Sequence, residues 1–66
     1  MSEYEWTEDK TDYGNEQWHC SKHGEWLGTI EYGSGRWEAE SLPHWLSSTH
    51  LREIVRKLDE LNGEAK

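Results

Sequence analysis

At 66 residues, 32% of them hydrophobic and 32% charged, the chain has material for one domain around one small core. It carries a formal charge of -7 and a single cysteine, which opposes a nucleic-acid backbone as partner and excludes an internal disulfide framework. No apolar run approaches the roughly 20 residues that cross a bilayer.

Five tryptophans and no phenylalanine explain how a chain of mean hydropathy -1.17 can fold. Each buried indole takes roughly 150–250 Å² out of water, so a few of them replace a larger aliphatic set. The charge is uneven. Residues 1–16 carry a net -5, residues 17–47 a net -2, and residues 48–66 balance.

Met1-Ser2-Glu3-Tyr4-Glu5 has neither the basic region nor the apolar stretch of a secretory signal. With the lone Cys20, this points to a cytoplasmic protein. Residues 1–16 read as an acidic N-terminal arm with two forms open. Tyr4 and Trp6, two apart, would share one face of a short edge strand from Glu3 to Thr7. The scarcity of apolar residues over 7–16 fits a disordered tail as well. Asp12-Tyr13-Gly14-Asn15 is a turn signal.

A single β-β-β-α domain is expected over 17–63. Trp18 and Cys20 alternate with His19 and Ser21, and Lys22-His23-Gly24 supplies a turn with Gly24 free to take positive φ. In the next strand, Glu25 to Tyr32, strict alternation puts Trp26, Gly28, Ile30 and Tyr32 on one face and Leu27, Thr29 and Glu31 on the other. Gly33-Ser34-Gly35 is a hairpin turn. The strand from Arg36 to Ser41 follows, with Trp37, Ala39 and Ser41 opposite Arg36, Glu38 and Glu40. Pro43 ends the sheet.

Ser47, Ser48 and Thr49 are candidate N-caps for a helix from about His50 to Asn62. Leu51, Ile54, Val55, Leu58 and Leu61 form its apolar stripe, with Arg52, Glu53, Arg56, Lys57, Asp59 and Glu60 filling the other side. Gly63 would stop the helix in a left-handed conformation, leaving 64–66 as a frayed tail. The expected fold is therefore α+β: a three-stranded antiparallel meander, extended by one strand if the N-terminal arm pairs, packed against one C-terminal helix. Trp18, Trp26, Ile30, Trp37 and Ala39 should meet the helix stripe, which leaves Trp6, Trp45 and Leu27 outside the core.

Three chemistries compete on these elements. His19, Cys20 and His23 are ligand types for a transition metal and make a metal-stabilised domain the third reading, but His19 and Cys20 are adjacent on a strand and point to opposite faces, so no metal or other cofactor is expected. The same residues offer a thiol and a base, yet so thin a core builds no substrate cleft, and no enzyme is expected. Lys22 and Arg36 on the sheet, or Arg52, Arg56 and Lys57 on the helix, are the alternative contacts of a small regulatory nucleic-acid binder. The preferred expectation is a non-enzymatic binding or inhibitor module of the kind that phages and mobile elements encode. It would engage a basic protein surface through Glu31, Glu38 and Glu40, with Trp6 and Trp45 as aromatic anchors, as a monomer or homodimer.

Overall fold

The computed structural model describes residues 3–64. Along it run strands β1 (Tyr4–Lys10), β2 (Glu16–Lys22), β3 (Glu25–Gly33) and β4 (Arg36–Ser41), then helix α1 (Ser48–Glu64). Two of the turns dictate the topology. His23 and Gly24 have φ of 52° and 80°, and Ser34 and Gly35 have φ of 55° and 84°. Positive φ at both central residues is the two-residue hairpin geometry whose twist matches that of paired strands. The five-residue turn between β1 and β2 is held by Asn15 N–H donating to Thr11 Oγ1 at 2.9 Å, with Gly14 at φ 90°. Short connections make each strand pair with its sequence neighbour, so the sheet is antiparallel in the order β1-β2-β3-β4.

Of the two forms open to the N-terminal arm, the strand is the one that forms. It pairs with β2 over its full length, from Tyr4 opposite Lys22 to Lys10 opposite Glu16. The helix starts at Ser48, where Ser47 caps it: Leu51 N–H reaches the Ser47 carbonyl at 2.9 Å and His50 N–H the Ser47 hydroxyl at 3.4 Å. It continues past the expected stop. Gly63 lies inside α1 and does not take positive φ. The expected tail therefore loses Glu64 to the helix, and its other residues, Ala65 and Lys66, lie outside the described residues, as do Met1 and Ser2.

The helix roofs one face of the sheet. Cys20, Leu27, Ile30, Trp37 and Ile54 are buried there, with Tyr4, Trp6, Trp18, Leu46, Leu58 and Leu61 packed around them. Four expectations are corrected. Ala39, expected in the core, is exposed, and Ser41, expected on the Trp37 face, is turned to the other face beside Thr29 by a register shift in β4. Trp26, expected in the core, is 41% exposed on the opposite face, and Leu27, expected outside, is 1% exposed in the core. A β-bulge causes the exchange. Cys20 pairs with Gly28 and Ser21 with Trp26, leaving Leu27 as the extra residue. The alternation slips by one there, which turns Leu27 inward and Trp26 outward. Gly28 makes room beneath: a methyl at its Cβ position would lie 2.6 Å from Leu42 Cδ2 and 3.4 Å from Ile54 Cδ1.

The helix is also rotated from its expected stripe. Ile54 is 1% exposed, but Leu51 and Val55 are 40% and 49% exposed. Glu53 and Lys57, expected at the solvent face, turn toward β1 and β2 instead. Trp6 Nε1 donates to Glu53 Oε2 at 2.9 Å, and Tyr4 Oη lies 2.9 Å from His50 Nδ1. Lys57 Nζ stands 4.6 Å above the Trp18 ring and 5.7 Å above the Trp6 ring. The polar tips of the β1 and β2 aromatics thus draw the 50–53–57 side of the helix to them. Arg56 closes the network, gripping both Glu53 oxygens at 2.8 Å and reaching Glu60 at 3.0 Å. This guanidinium fork holds the Glu53 carboxyl below its ordinary range, and the Trp6 N–H adds to the effect. Burial acts the other way on Cys20, whose thiol is pushed up to about 11.

Candidate functional site

The helix covers one face, so the other face of the same strands is the open surface. The strand register sets its rows. Asp9, Gln17, Glu31 and Glu38 lie across the sheet in one row, Thr7, His19, Thr29 and Ser41 in the next, and Glu5, Ser21 and Trp26 in the third. A second bulge, at Glu40 between Ala39 and Ser41, brings Glu40 beside the first row. Five carboxylates therefore share this face: Glu5, Asp9, Glu31, Glu38 and Glu40. Arg36, two residues before Glu38 on β4, is the only lysine or arginine among these positions, and its Nε is already paired with Glu38 at 3.2 Å.

Two polar constructions stiffen the face. Glu31 is held by three donors: Gln17 Nε2 at 3.0 Å, Asn15 Nδ2 at 3.1 Å and Tyr13 Oη at 3.2 Å. Desolvation and the Glu31 charge together keep the Tyr13 phenol above its ordinary range. Beside it, a chain of hydrogen bonds crosses three strands. Trp26 Nε1 donates to Thr29 Oγ1 at 3.0 Å, His19 Nδ1 lies 2.8 Å from the same oxygen, and His19 Nε2 lies 3.1 Å from Asp9 Oδ2. The Lys10 amide and the His19 contact hold the Asp9 carboxyl below its usual range. The order carboxylate, imidazole, hydroxyl is that of a hydrolase triad. Here the hydroxyl also accepts the indole N–H and is buried, with Thr29 at 6% exposure. The arrangement ties strands together and places Trp26 at the rim.

Glu31, Glu38 and Glu40 come together as expected from their alternation. With Asn15, Gly33 and Ser34 they line a shallow depression of about 260 Å³. They are not equivalent. Glu31 is saturated by its own chain and Glu38 is shared with Arg36, while Glu40 has no ion pair among the described residues. A second depression of about 330 Å³, lined by Glu8, Asp9, Lys10, Glu16, Gln17 and Trp18, lies at the far side of the sheet.

Of the two tryptophans expected beside the carboxylates, one is engaged elsewhere. Trp6 is bonded to Glu53 on the roofed face. Trp45, 51% exposed, sits in the β4–α1 connection, where a turn closes from Leu46 N–H to the Pro43 carbonyl at 3.1 Å. The tryptophan that does stand on the open face is Trp26. Gly28 was the sequence signal for it, since a mid-strand glycine is a common mark of a bulge.

The basic candidates are dispersed and engaged. Lys22 pairs with Glu3 at 3.5 Å and lies over the Tyr4 ring. Arg36 pairs with Glu38, Arg56 with Glu53 and Glu60, and Lys57 with Glu60. Among the described residues only Arg52 of these five has no ion pair. His19 and Cys20 fall on opposite faces, and His23 lies in the exposed turn 3.4 Å from Glu3. No group of three or more His, Cys, Asp or Glu side chains among the described residues is placed to hold a metal ion. No helix among them is long and apolar enough to cross a membrane. Comparison of the chain with protein-family models, with curated proteins and with solved structures finds no match.

Proposed function

We propose that this protein is a non-enzymatic binding module that engages a basic protein surface through the open face of its sheet. The observation that carries the reading is the sorting of charge by face. Five carboxylates occupy the side left bare by the helix, and the one arginine there is already paired within it. Such a surface draws cations and repels phosphates, and the field over it steers a basic partner on approach. Glu38 and Glu40 make the outer contacts, Glu31 acts as their braced neighbour, and Trp26 is the aromatic at the rim. Blocking a nucleic-acid-binding protein by occupying its phosphate sites is one use of such a face, because spaced carboxylates present the same charge.

The test is a pair of salt titrations, one against a strongly basic protein and one against duplex DNA. The basic protein should bind at about 0.05 M salt and be released as salt rises. Glu38→Gln combined with Glu40→Gln should weaken that binding, and DNA should not bind. Retention of duplex DNA at moderate salt would sink the reading.

A further inference from the structure

The edge of the sheet beside this face is unfinished. β4 is an outer strand, and its backbone polar groups need partners on that side. At Trp37 the helix supplies one: Trp37 N–H donates to Asn62 Oδ1 at 2.8 Å, and Asn62 Nδ2 donates to the Trp37 carbonyl at 3.1 Å. One side-chain amide thus takes the place of a neighbouring strand. Since the Trp37 groups point away from β3, the alternation of an antiparallel ladder sends those of Ala39 the same way. Ala39, itself exposed, has no such amide among the described residues.

What flanks Ala39 differs on the two sides of the sheet. On the open side stand Glu38 and Glu40. On the helix side is an apolar margin created by the rotation of α1. Residues 51, 55, 58 and 62 follow one line along a helix, and Asn62 fixes that line over the β4 edge. Leu51 and Val55 therefore lie on the same side of the helix as Asn62, 40% and 49% exposed, and Leu42, which follows β4, is 37% exposed.

We infer that the β4 edge accepts an extended segment of a partner protein as a fifth strand, its side chains alternating basic and apolar. Backbone bonds at Ala39 fix the strand, the basic side chains face Glu38 and Glu40, and the apolar ones lie against Leu51 and Val55. This deepens the reading of the open face and rests on it. A second copy fits poorly: β4 paired antiparallel with itself about Ala39 would set Glu38 of one copy opposite Glu40 of the other, and facing like charges destabilise a ladder.

The experiment uses the full chain and a nine-residue peptide alternating Lys and Val, at about 0.05 M salt. A control peptide carries the same side chains with every backbone nitrogen methylated. With the first peptide, hydrogen exchange at the Ala39 amide should slow by about tenfold. The methylated peptide should bind about tenfold more weakly. Equal binding of the two peptides, or binding without protection at Ala39, overturns strand addition while leaving a purely electrostatic use of the face standing. Failure of both peptides to bind, while the basic protein does, overturns it too. A sedimenting dimer with the Ala39 amide already protected assigns the edge to a second copy instead.

Discussion

The two faces of this sheet are built from the same four strands and share no chemistry. One buries Cys20, Leu27, Ile30 and Trp37 under a helix, with Trp6 and Trp18 half-buried beside them. The other displays five carboxylates and a hydrogen-bonded lattice running from Asp9 to Trp26. Period-two alternation makes such a division possible, and the bulge at Leu27 completes it by moving an aliphatic residue inward and an indole outward. Burying carboxylates and exposing carboxylates are different acts. Glu53 under the roof is locked by Trp6 and Arg56, whereas Glu40 on the bare side has no ion pair among the described residues.

The contrast is broken most severely at the roof itself. Ile54→Ala removes a side chain 1% exposed and should cost about 2–5 kcal/mol, enough to unfold much of a domain this small. Val55→Ala, one residue on, should cost less than about 0.5 kcal/mol. Urea melts of the two variants check the rotation of the helix, and equal losses would contradict it. Next comes the bulge. Gly28→Ala adds a methyl against Leu42 and Ile54 at a φ of 157°, with an expected loss of about 1–3 kcal/mol. A smaller loss would mean that Leu42, already half out in solvent, swings clear.

Glu53→Gln tests the buried carboxylate. Loss of the charge-assisted bonds to Arg56 should cost about 1–2 kcal/mol at neutral pH. The folded-state pKa of Glu53 lies below its ordinary value of 4.5. Its stabilisation is therefore fully present above that value and is lost as pH falls through the depressed one. Wild type and Glu53→Gln should converge in melting temperature as the solution is acidified from pH 7 to below that range. The smallest effect is expected on the bare face. Glu40→Gln should leave the melting temperature unchanged or slightly raised, because it relieves repulsion from Glu31 and Glu38 without breaking a bond. A clear loss would show that Glu40 has a structural partner.

Much of this division is written in the sequence. The tight turns at His23-Gly24 and Ser34-Gly35 fix three strands and their order, and the alternation through Glu31, Glu38 and Glu40 puts those carboxylates together. What local pattern does not carry is the phase. Period two extrapolated through Gly28 reverses Trp26 and Leu27, since a bulge depends on the partner strand as much as on its own residues. The helix likewise looks symmetric about its aliphatic stripe. Its true rotation is decided by Tyr4 and Trp6, some 46 residues away in sequence from the His50 ring that Tyr4 meets, whose polar tips need His50 and Glu53. For the same reason local pattern does not place Trp6 against the core: the polar bond that holds its half-buried indole lies at long range. Nor do the five basic candidates for nucleic-acid contact reveal from sequence alone that four of them are spent on nearby carboxylates.

The meander order has a consequence for how the molecule assembles. Every strand finds its mate in the adjacent stretch of chain, so the sheet can zip up from local loop closures with little entropy lost to long-range search. The helix, by contrast, must reach back across the finished sheet to Tyr4 and Trp6. The final docking of α1 is therefore the step at which distant parts of the chain first meet, and it is where the rate of folding should be most sensitive to mutation.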